Sequence, residues 1–285
     1  MKILVTGATG FIGYNLMTYL AKQCHTVFGC GRRQIKLPND RFFMCNLAQE
    51  ILDIDLDIDV IVHAAAMGPS ENAKYQDFFI NNCLVTMNVL SYARQHNVRR
   101  IIYMGAVSSY GAVNSVLRED SPHNNPDDYG LTKYVAEKMI RNSGIPYYTL
   151  ILPGVVGMGC RSNWIMNTAQ KLYRNEDIIY YNGKGLFNNI LEVQDLCKYV
   201  GQLLEEESEE SETYLLGSSE KISVEEVIGV LKDKLFSYSK LYCDEHQTNA
   251  FYLDISKAMS NGFCPKPIKE TLEVVCKEIL RKEEN

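Results

Sequence analysis

The sequence has no cluster of five or more basic residues and no apolar run that approaches the length of a membrane span. Its formal net charge is −6, which argues against a general polyanion-binding surface, so nucleic acid is not an expected partner. The first residues lack the apolar core and the cleavage site of a signal peptide. These absences favour a cytoplasmic protein that has neither a membrane nor a nucleic acid as its partner.

The nine cysteines form no C-x-x-C pair and show no spacing typical of a metal site. Their number is odd and they are scattered along the chain, which indicates reduced thiols that serve as small core residues. The sequence therefore predicts neither a disulfide framework nor a metal centre.

Strand-like and helical segments alternate along the first half of the chain. Apolar runs with strand character lie at 2–6, 26–29, 60–63, 100–104 and 147–152, and helical patterns lie at 11–23, 78–96 and 129–142. This order predicts an α/β fold with a doubly wound parallel sheet, in which ligands bind at the carboxyl ends of the strands. With 285 residues, 46% of them hydrophobic, the chain can form one such domain and a smaller lobe.

Three glycines follow the first apolar strand at a spacing suited to a dinucleotide. The first, Gly7, permits a tight turn, Gly10 lets a pyrophosphate approach the backbone, and Gly13 lets the next helix pack close to the sheet. The N-terminus of that helix then faces the phosphates. The expected cofactor contacts in this segment are Gly7, Thr9, Gly10, Phe11, Ile12 and Gly13.

Tyr129 and Lys133 form a Y-x-x-x-K pattern, which places both on one face of a helix, one turn apart. A tyrosine with the usual pKa of about 10 is a poor proton carrier near neutrality, and a neighbouring ammonium stabilises its phenolate. An exposed aromatic–cation pair would have the same spacing. The position downstream of the glycine motif favours a catalytic pair instead.

With its leading threonine, its G-x-x-G-x-x-G spacing and the Y-x-x-x-K pattern, the sequence resembles the extended short-chain dehydrogenase/reductase superfamily, and within it the epimerase/dehydratase family of nucleotide-sugar enzymes. The resemblance covers almost the whole chain. It implies a Rossmann-type sheet with a smaller C-terminal substrate-binding lobe. Residues 1–155, with 188–204 returning to them, would form the NAD(P)-binding domain, and 156–187 and 205–285 the lobe. In that family the tyrosine exchanges a proton with the substrate oxygen while the lysine also holds the nicotinamide ribose.

The family's third catalytic residue, a serine or threonine, is missing from its usual place. The segment 103–111 resembles the family's strand, paired hydroxyls and closing Tyr-Gly, but Ala106 stands four residues before Tyr110, where the hydroxyl normally lies. Ser108 is the candidate replacement. If neither Ser108 nor Ser109 reaches the reacting oxygen, the protein is a weakened enzyme or a cofactor-binding protein.

The end of the second strand carries the signal for cofactor choice. An NAD-preferring site generally has a carboxylate there to accept the ribose hydroxyls, but this chain has Gly31, followed by Arg32 and Arg33. Two guanidinium groups suit a 2′-phosphate, so NADP is expected and NAD is the less favoured cofactor. The alternative is a pair of ordinary surface arginines.

Further cofactor contacts follow from the resemblance alone. They are Asn46 and Leu47 beside the adenine, Ala64, Ala65 and Ala66 along the pyrophosphate and ribose, Asn82 as a brace near the active site, and Pro153 and Val155 near the nicotinamide. His63 lies in an apolar run and is interpreted as structural.

Arg161, Asn163 and Asn189 are the candidate substrate residues, because the family binds a nucleoside diphosphate and arginine suits that group. The leading interpretation is NADPH-dependent reduction of a nucleotide-linked keto-sugar, with Tyr129 as proton donor. The alternatives are a nucleotide-sugar epimerase or dehydratase that recycles its cofactor, a cofactor-binding protein with weak or no catalysis, and a reductase of a small ketone. A homodimer is expected by resemblance, through the helices at 78–96 and 129–142.

Overall fold

The computed structural model describes residues 1–34, 41–70, 72–161, 163–208, 210–244 and 250–283. In chain order the strands are β1 (Lys2–Thr6), β2 (Thr26–Gly31), β3 (Phe42–Met44), β4 (Val60–His63), β5 (Arg100–Ala106), β6 (Ser115–Leu117), β7 (Tyr147–Leu152), β8 (Gly154–Val156), β9 (Ile178–Tyr181), β10 (Leu186–Phe187), β11 (Ile190–Glu192), β12 (Glu212–Leu215), β13 (Ile222–Ser223), β14 (Leu241–Asp244) and β15 (Phe251–Leu253). The α-helices are α1 (Phe11–Leu20), α2 (Tyr75–Phe78), α3 (Val85–Gln95), α4 (Asp128–Arg141), α5 (Trp164–Tyr173), α6 (Val193–Leu204), α7 (Val224–Lys234), α8 (Ser256–Ser260) and α9 (Ile268–Glu283). A π-helical segment, Phe79–Leu84, joins α2 to α3, and a 3-10 helix spans Val107–Tyr110.

The first of two compact units consists of residues 1–112, 122–151 and 197–214. It is built on a seven-stranded sheet with the order β12-β7-β5-β4-β1-β2-β3, in which β1 pairs in parallel with both β2 and β4. The predicted doubly wound parallel sheet is therefore confirmed. From β1 the chain adds β2 and β3 on one side and then crosses to add β4 on the other side, so the topological switch point lies between β1 and β4. Sheets of this kind bind ligands there, at the carboxyl ends of the strands.

Helices α3 and α4 cover one face of this sheet through a continuous apolar cluster. Leu4, Ile61 and Ile101, from three neighbouring strands, belong to that cluster together with Tyr92 of α3 and Ile140 of α4. All five residues are almost completely buried. Strands β4 and β5 are buried at every position, which explains why their sequences read as continuous apolar runs without alternation.

Two local features of this unit differ from the sequence prediction. The helix predicted over 78–96 is divided by the π-helical segment, and the hydroxyl of Thr86, in the first turn of α3, donates back to the carbonyl oxygen of Asn82 in that segment at 2.6 Å. A side chain that bonds to a helix carbonyl in this way replaces part of the regular hydrogen-bond ladder. Strand β3 was not predicted, because three residues are too few to show a strand period.

The second unit consists of residues 113–121, 152–196 and 215–285. In its described residues the strands form four two-stranded sheets, by the pairing of β8 with β11, β9 with β14, β10 with β13, and β6 with β15. Within it, the ammonium of Lys266 forms ion pairs with the buried carboxylates of Glu192 and Asp195. None of the helices in the described ranges is long and apolar enough to cross a membrane.

The two units divide the chain differently from the predicted domains. Residues 113–121 belong to the second unit because β6 pairs with β15, and 188–196 belong to it because β11 pairs with β8. Residues 205–214 belong to the first unit, where β12 extends the large sheet beside β7. The compact units therefore differ from the boundaries predicted at 155, 188 and 205, because these pairings join residues far apart in the chain.

Candidate active site

The turn between β1 and α1 has the close backbone approaches that the three glycines predict. Gly7 has a φ of +68°, and a Cβ atom there would lie 2.7 Å from the Cα atom of Ala65. A Cβ atom at Gly13 would overlap the carbonyl oxygen of Gly7, and one at Gly10 would lie 3.2 Å from the same oxygen. Without these atoms the N–H groups that begin α1 stay open to an anion, so the residues present fit a bound pyrophosphate.

A cleft lies at the carboxyl ends of the parallel strands in the first unit. Predicted cofactor residues from four separate segments line it, namely Gly7, Thr9, Gly10, Arg32, Arg33, Asn46, Leu47, Ala64, Ala65 and Ala66. Phe11, Ile12 and Gly13 form the first turn of α1, just beyond this lining. The structure thus brings most of the predicted cofactor residues of this unit into one place.

Six residues that line the cleft were not among the predicted contacts. They are Cys30, Gly31, Cys45, Ala48, Asn81 and Val85. The first four lie within two residues of predicted contacts, so a prediction by segment would have included them. Asn81 and Val85 come from the π-helical segment and α3, and nothing in their local sequence indicates that they reach this cleft.

The two arginines lie on the rim of the cleft beside Gly31. Both are exposed, and the guanidinium of Arg32 donates to Oδ1 of Asn81 at 3.3 Å. A Cβ atom at Gly31 would lie 3.0 Å from Cγ2 of Thr9, so a carboxylate side chain at this position would crowd the glycine turn. The missing carboxylate therefore agrees with the local packing.

Asn46 and Leu47 begin a turn that follows β3. Oδ1 of Asn46 accepts a hydrogen bond from the N–H of Ala48 at 3.3 Å, which is an Asx turn. Asn88 of α3 donates to the carbonyl oxygen of Leu47 at 2.8 Å and holds this turn against the helix. Both predicted residues line the cleft, and Oδ1 of Asn46 already accepts the hydrogen bond within the turn.

His63 joins β1, β4 and α3 in the buried core. Its Nδ1 lies 2.7 Å from the hydroxyl of Thr6 and its Nε2 lies 3.0 Å from that of Thr86. Burial, and then the charge of Lys133, lowers the pKa of His63 to about 3. A neutral imidazole with both nitrogens in use is a structural link rather than a base.

Asn82 does not line the cleft and is corrected from a cofactor contact to a brace. It is 1% exposed, its Oδ1 accepts from the N–H of Met67 at 2.7 Å, and its Nδ2 donates to the hydroxyl of Thr132 at 3.0 Å. These bonds tie the loop after β4 to helix α4. All of its side-chain polar groups are used within the protein, so the bracing role expected of it is the one that its geometry supports.

Helix α4 carries the predicted catalytic pair. The side chain of Asp127 caps the helix by accepting from the N–H of Gly130 at 2.6 Å. Tyr129 packs edge-on against Phe78 with ring centroids 5.8 Å apart. Lys133 is 4% exposed, and its ammonium group donates to the carbonyl oxygen at the end of β5, on Met104, at 2.7 Å.

The protonation of this pair is dominated by burial. Burial, followed by the charge of Asp127, raises the pKa of Tyr129 to about 12. Burial lowers the pKa of Lys133 to about 7, although Cys83 and Glu137 raise it. The expected stabilisation of the phenolate by Lys133 is therefore not expressed here, because Lys133 is turned towards Met104. The phenol is protonated at neutral pH and is available as a proton donor.

Ser108 lies on the 3-10 helix directly beside the start of α4. A Cβ atom at Gly130 would overlap the carbonyl oxygen of Ser108. The backbone of the 3-10 helix is therefore in direct contact with that of α4 at Gly130, the residue after Tyr129. Ser108 is half-buried, whereas Ser109 is completely buried and its hydroxyl has no hydrogen-bond partner among the described residues. Ala106 is buried at the end of β5.

The remaining predicted site residues lie in the second unit. Pro153 precedes β8 and Val155 lies within it. Arg161 is exposed. Asn163 caps α5 through Oδ1, and its Nδ2 donates to the carbonyl oxygen of Val155 at 3.1 Å, so it has a structural role here and its contact with a substrate stays a prediction. Oδ1 of Asn189 is buried and has no partner within the part of the chain that the structure describes.

The sheet order and the glycine turn define the class of protein, which is a Rossmann-type protein with a cleft that fits a dinucleotide. Within that class, the sequence profile of the NAD dependent epimerase/dehydratase family matches residues 3–217. The chain therefore belongs to this family.

Individual relatives extend over nearly the full chain. A protein of Methanocaldococcus jannaschii, provisionally named a UDP-glucose 4-epimerase, is 28% identical over 301 residues, which cover 96% of this chain and 96% of that protein. A GDP-6-deoxy-D-talose 4-dehydrogenase of Aggregatibacter actinomycetemcomitans is 27% identical over 214 residues, which cover 72% and 70% of the two chains. UDP-glucuronic acid 4-epimerase from Bacillus cereus, solved with NAD, superimposes with a TM-score of 0.83 over 99% of both chains at 23% identity. That structural likeness shows the fold.

Proposed function

We propose that the protein is a 4-epimerase of a nucleotide-linked sugar. The observation that carries the proposal is the Tyr129–Lys133 pair on α4, with Lys133 buried and Tyr129 half-buried, in the same unit as the dinucleotide-type cleft. Two of the relatives described above are named as 4-epimerases of UDP-sugars, and one of them was solved with NAD. Net reduction with NADPH, the leading interpretation of the sequence, has no support in these two names and becomes the second candidate.

A bound nicotinamide dinucleotide supplies reversible oxidation of a carbinol carbon, which inversion through a ketone requires. The protein supplies the proton transfer. Tyr129 is a protonated phenol in the described chain, so it would first have to ionise before it takes the proton of the reacting hydroxyl and later returns it. The ammonium of Lys133, one turn away, would offset the phenolate charge once it turns from Met104 towards the phenol. Ser108 is the hydroxyl that we assign to orient the reacting oxygen, in place of Ala106.

The reaction type is tested by incubating the purified protein with UDP-glucose and, separately, with UDP-glucuronic acid, each with NAD. We expect proton NMR of the anomeric region to show a mixture of the two C4 epimers, with no net change in reduced cofactor. Consumption of NADPH in step with a nucleotide-linked keto-sugar, without interconversion of epimers, would instead select the reductase.

The second candidate is favoured by one observation, the position of Arg32 and Arg33 on the cleft. If both guanidinium groups pair with a 2′-phosphate, we expect NADPH to bind about 10- to 100-fold more tightly than NADH. The double variant Arg32→Ala,Arg33→Ala should abolish this difference while NADH binding stays nearly constant. Titration calorimetry with both cofactors measures the effect.

The matched control is Arg94→Ala,Arg99→Ala, which removes two charges elsewhere on the same unit. Arg94 reaches the carbonyl oxygen of Ser143 and Arg99 pairs with Asp59, so neither belongs to the cleft. Equal binding of the two cofactors by the wild-type protein would assign Arg32 and Arg33 to the solvated surface and would leave an NAD-dependent epimerase. Cofactor choice and reaction type are thus tested separately.

The neighbouring serines provide a matched pair for the missing hydroxyl. We expect Ser108→Ala to lower kcat by about 100-fold, because a hydroxyl that orients the reacting oxygen is lost. Ser109→Ala should leave kcat unchanged, since its buried hydroxyl has no partner to lose within the described ranges. Steady-state kinetics of both variants decide the point, and an unchanged kcat in Ser108→Ala would remove Ser108 from the site.

We also propose a homodimer, as the family resemblance implies. Exposed apolar side chains on and beside the predicted contact helices supply a surface for it, and they include Tyr75, Phe79, Ile80, Met87 and Leu131. Surfaces of this kind commonly mark contacts between proteins.

A further inference from the structure

Helix α4 continues the catalytic face by one more turn, to a buried carboxylate. Tyr129, Lys133 and Glu137 are each four residues apart, a spacing that places side chains on one face of a helix. Glu137 is 3% exposed. Its Oε1 lies 3.5 Å from Nη1 of Arg141, and its Oε2 is buried without a hydrogen-bond partner among the described residues.

A buried carboxylate oxygen without a hydrogen bond is costly, because burial penalises a charge that neither water nor a donor compensates. Burial raises the pKa of Glu137 above its usual value, and the neighbouring groups of Arg141, His123, Lys138 and Lys133 limit that rise. Above its raised pKa, Glu137 is an anion that faces these groups. Arg141 is on the exposed side of Glu137, whereas Lys133 is buried on the side of the catalytic pair.

The groups that face Lys133 come from every element packed around it. They are His63 on β4, Cys83 on the π-helical segment, Tyr103 on β5, and Tyr129 and Glu137 on α4 itself. Of these, His63 is neutral at pH 7 because its pKa is about 3. Burial raises the pKa of Cys83 to about 11 and that of Tyr103 well above its usual value, so both are also neutral.

The phenol of Tyr129 is neutral as well, which leaves the carboxylate of Glu137 as the counter-charge to Lys133 within the described part of the chain. Among the described residues, the direct hydrogen-bond partner of the ammonium is the neutral carbonyl of Met104, and the ring centroid of Tyr103 lies 4.3 Å away. Neither carries a full negative charge. Burial away from water lowers the pKa of an ammonium group, so the group loses its proton easily unless a nearby anion raises that pKa.

We propose that Glu137 is a positioning residue that keeps Lys133 protonated, and through it sustains the proton transfer by Tyr129. The effect of Glu137 on the protonation of Lys133 is a property of the folded chain alone, whereas its consequence for catalysis rests on the proposed function. With Glu137 ionised, the pKa of Lys133 is raised against the effect of burial. Without that anion, Lys133 becomes neutral at a lower pH, and the phenolate of Tyr129 then loses its compensating charge. The alkaline limit of activity should therefore move to lower pH.

The primary test measures Lys133 itself. The protein is labelled with 13C-lysine, the Cε resonance of Lys133 is assigned from its loss in Lys133→Met, and the resonance is followed from pH 5.5 to 9.5. In Glu137→Gln we expect the titration midpoint of Lys133 to fall by about one pH unit, from Coulomb's law at an effective dielectric constant near 20. An unchanged midpoint would overturn the proposal.

Two further variants separate charge from packing. Glu137→Asp keeps the carboxylate and should restore most of the wild-type midpoint, whereas a purely structural role would disturb Gln and Asp variants alike. Asp128→Asn removes an exposed carboxylate from the same helix and should leave the midpoint unchanged. If Glu137→Gln does not fold, Glu137→Met takes its place, because it removes the charge and leaves an apolar side chain of similar length in the buried position, and it should lower the midpoint in the same way.

The catalytic consequence has its own readout. The alkaline limb of kcat/KM should shift to lower pH in Glu137→Gln, in parallel with the NMR midpoint, and should stay in place in Asp128→Asn. If the protein shows no epimerase activity, the NMR titration still decides the electrostatic role, so the two failures are distinct. A shifted midpoint with an unshifted pH profile would overturn the role of Glu137 in catalysis.

Discussion

Tyr129→Phe is expected to reduce turnover of the nucleotide sugar by at least about 100-fold, since it removes the one group that we assign to proton transfer. The ring remains, so its edge-on contact with Phe78, at 5.8 Å between centroids, should hold the helix in place. Cofactor affinity should therefore change little. The measurement is kcat from the NMR epimerisation assay, together with cofactor binding by calorimetry.

The same substitution five residues along the helix provides the control. Tyr134 packs its ring against His123 at 3.8 Å and does not belong to the catalytic face, so Tyr134→Phe should keep kcat within about two-fold. Comparable loss in both variants would show that the hydroxyl of Tyr129 has no special role. Full activity in Tyr129→Phe would assign the proton transfer to another group.

Gly13→Ala is expected to damage both the fold and the cleft. A Cβ atom at this position would overlap the carbonyl oxygen of Gly7, which is backbone and cannot rotate away. We expect overpacking to cost about 1–3 kcal/mol of the free energy of unfolding. Displacement of the turn should also weaken its hydrogen bonds to a phosphate, and so reduce cofactor affinity by about 10- to 100-fold.

Gly229→Ala is the matched control, because it is also a glycine-to-alanine change inside an α-helix. A Cβ atom at Gly229 would meet no atom within 4 Å in the described structure. This variant should raise the free energy of unfolding by about 0.4–1 kcal/mol, since alanine restricts the unfolded chain. Denaturant titration of both variants gives opposite signs if the reasoning is right, and equal effects would contradict it.

The parts of the site that depend on neighbouring residues could be predicted from the sequence. The glycine turn is such a case, because strand, turn and helix follow one another within 13 residues and the backbone alone dictates where glycine is needed. The pairing of Tyr129 with Lys133 is another, since helical geometry fixes that spacing. Both depend on covalent distance and on a single secondary structure.

The parts that depend on tertiary contacts could not be predicted. The bond from Nδ2 of Asn163 to the carbonyl oxygen of Val155 is such a case, because it depends on how the chain returns between β8 and α5. The direction of the Lys133 side chain is set by the carbonyl group of Met104, 29 residues away in the chain. Glu137 has nothing in its sequence that distinguishes it from a solvated helix residue, because its burial follows from the packing of α4 on the sheet.

The π-helical segment also bears on how chains of this fold can gain or lose residues. Because its hydrogen bonds span one residue more than those of an α-helix, a deletion within 79–84 can be absorbed by a return to α-helical geometry. The same deletion within α3 would turn everything after it by about 100° and expose its buried face. Absorbing the deletion would displace Asn82 from Met67 and Thr132, so the bridge between loop and helix would be lost. A one-residue gap at this place in an alignment should therefore mark relatives that hold the loop after β4 by other means.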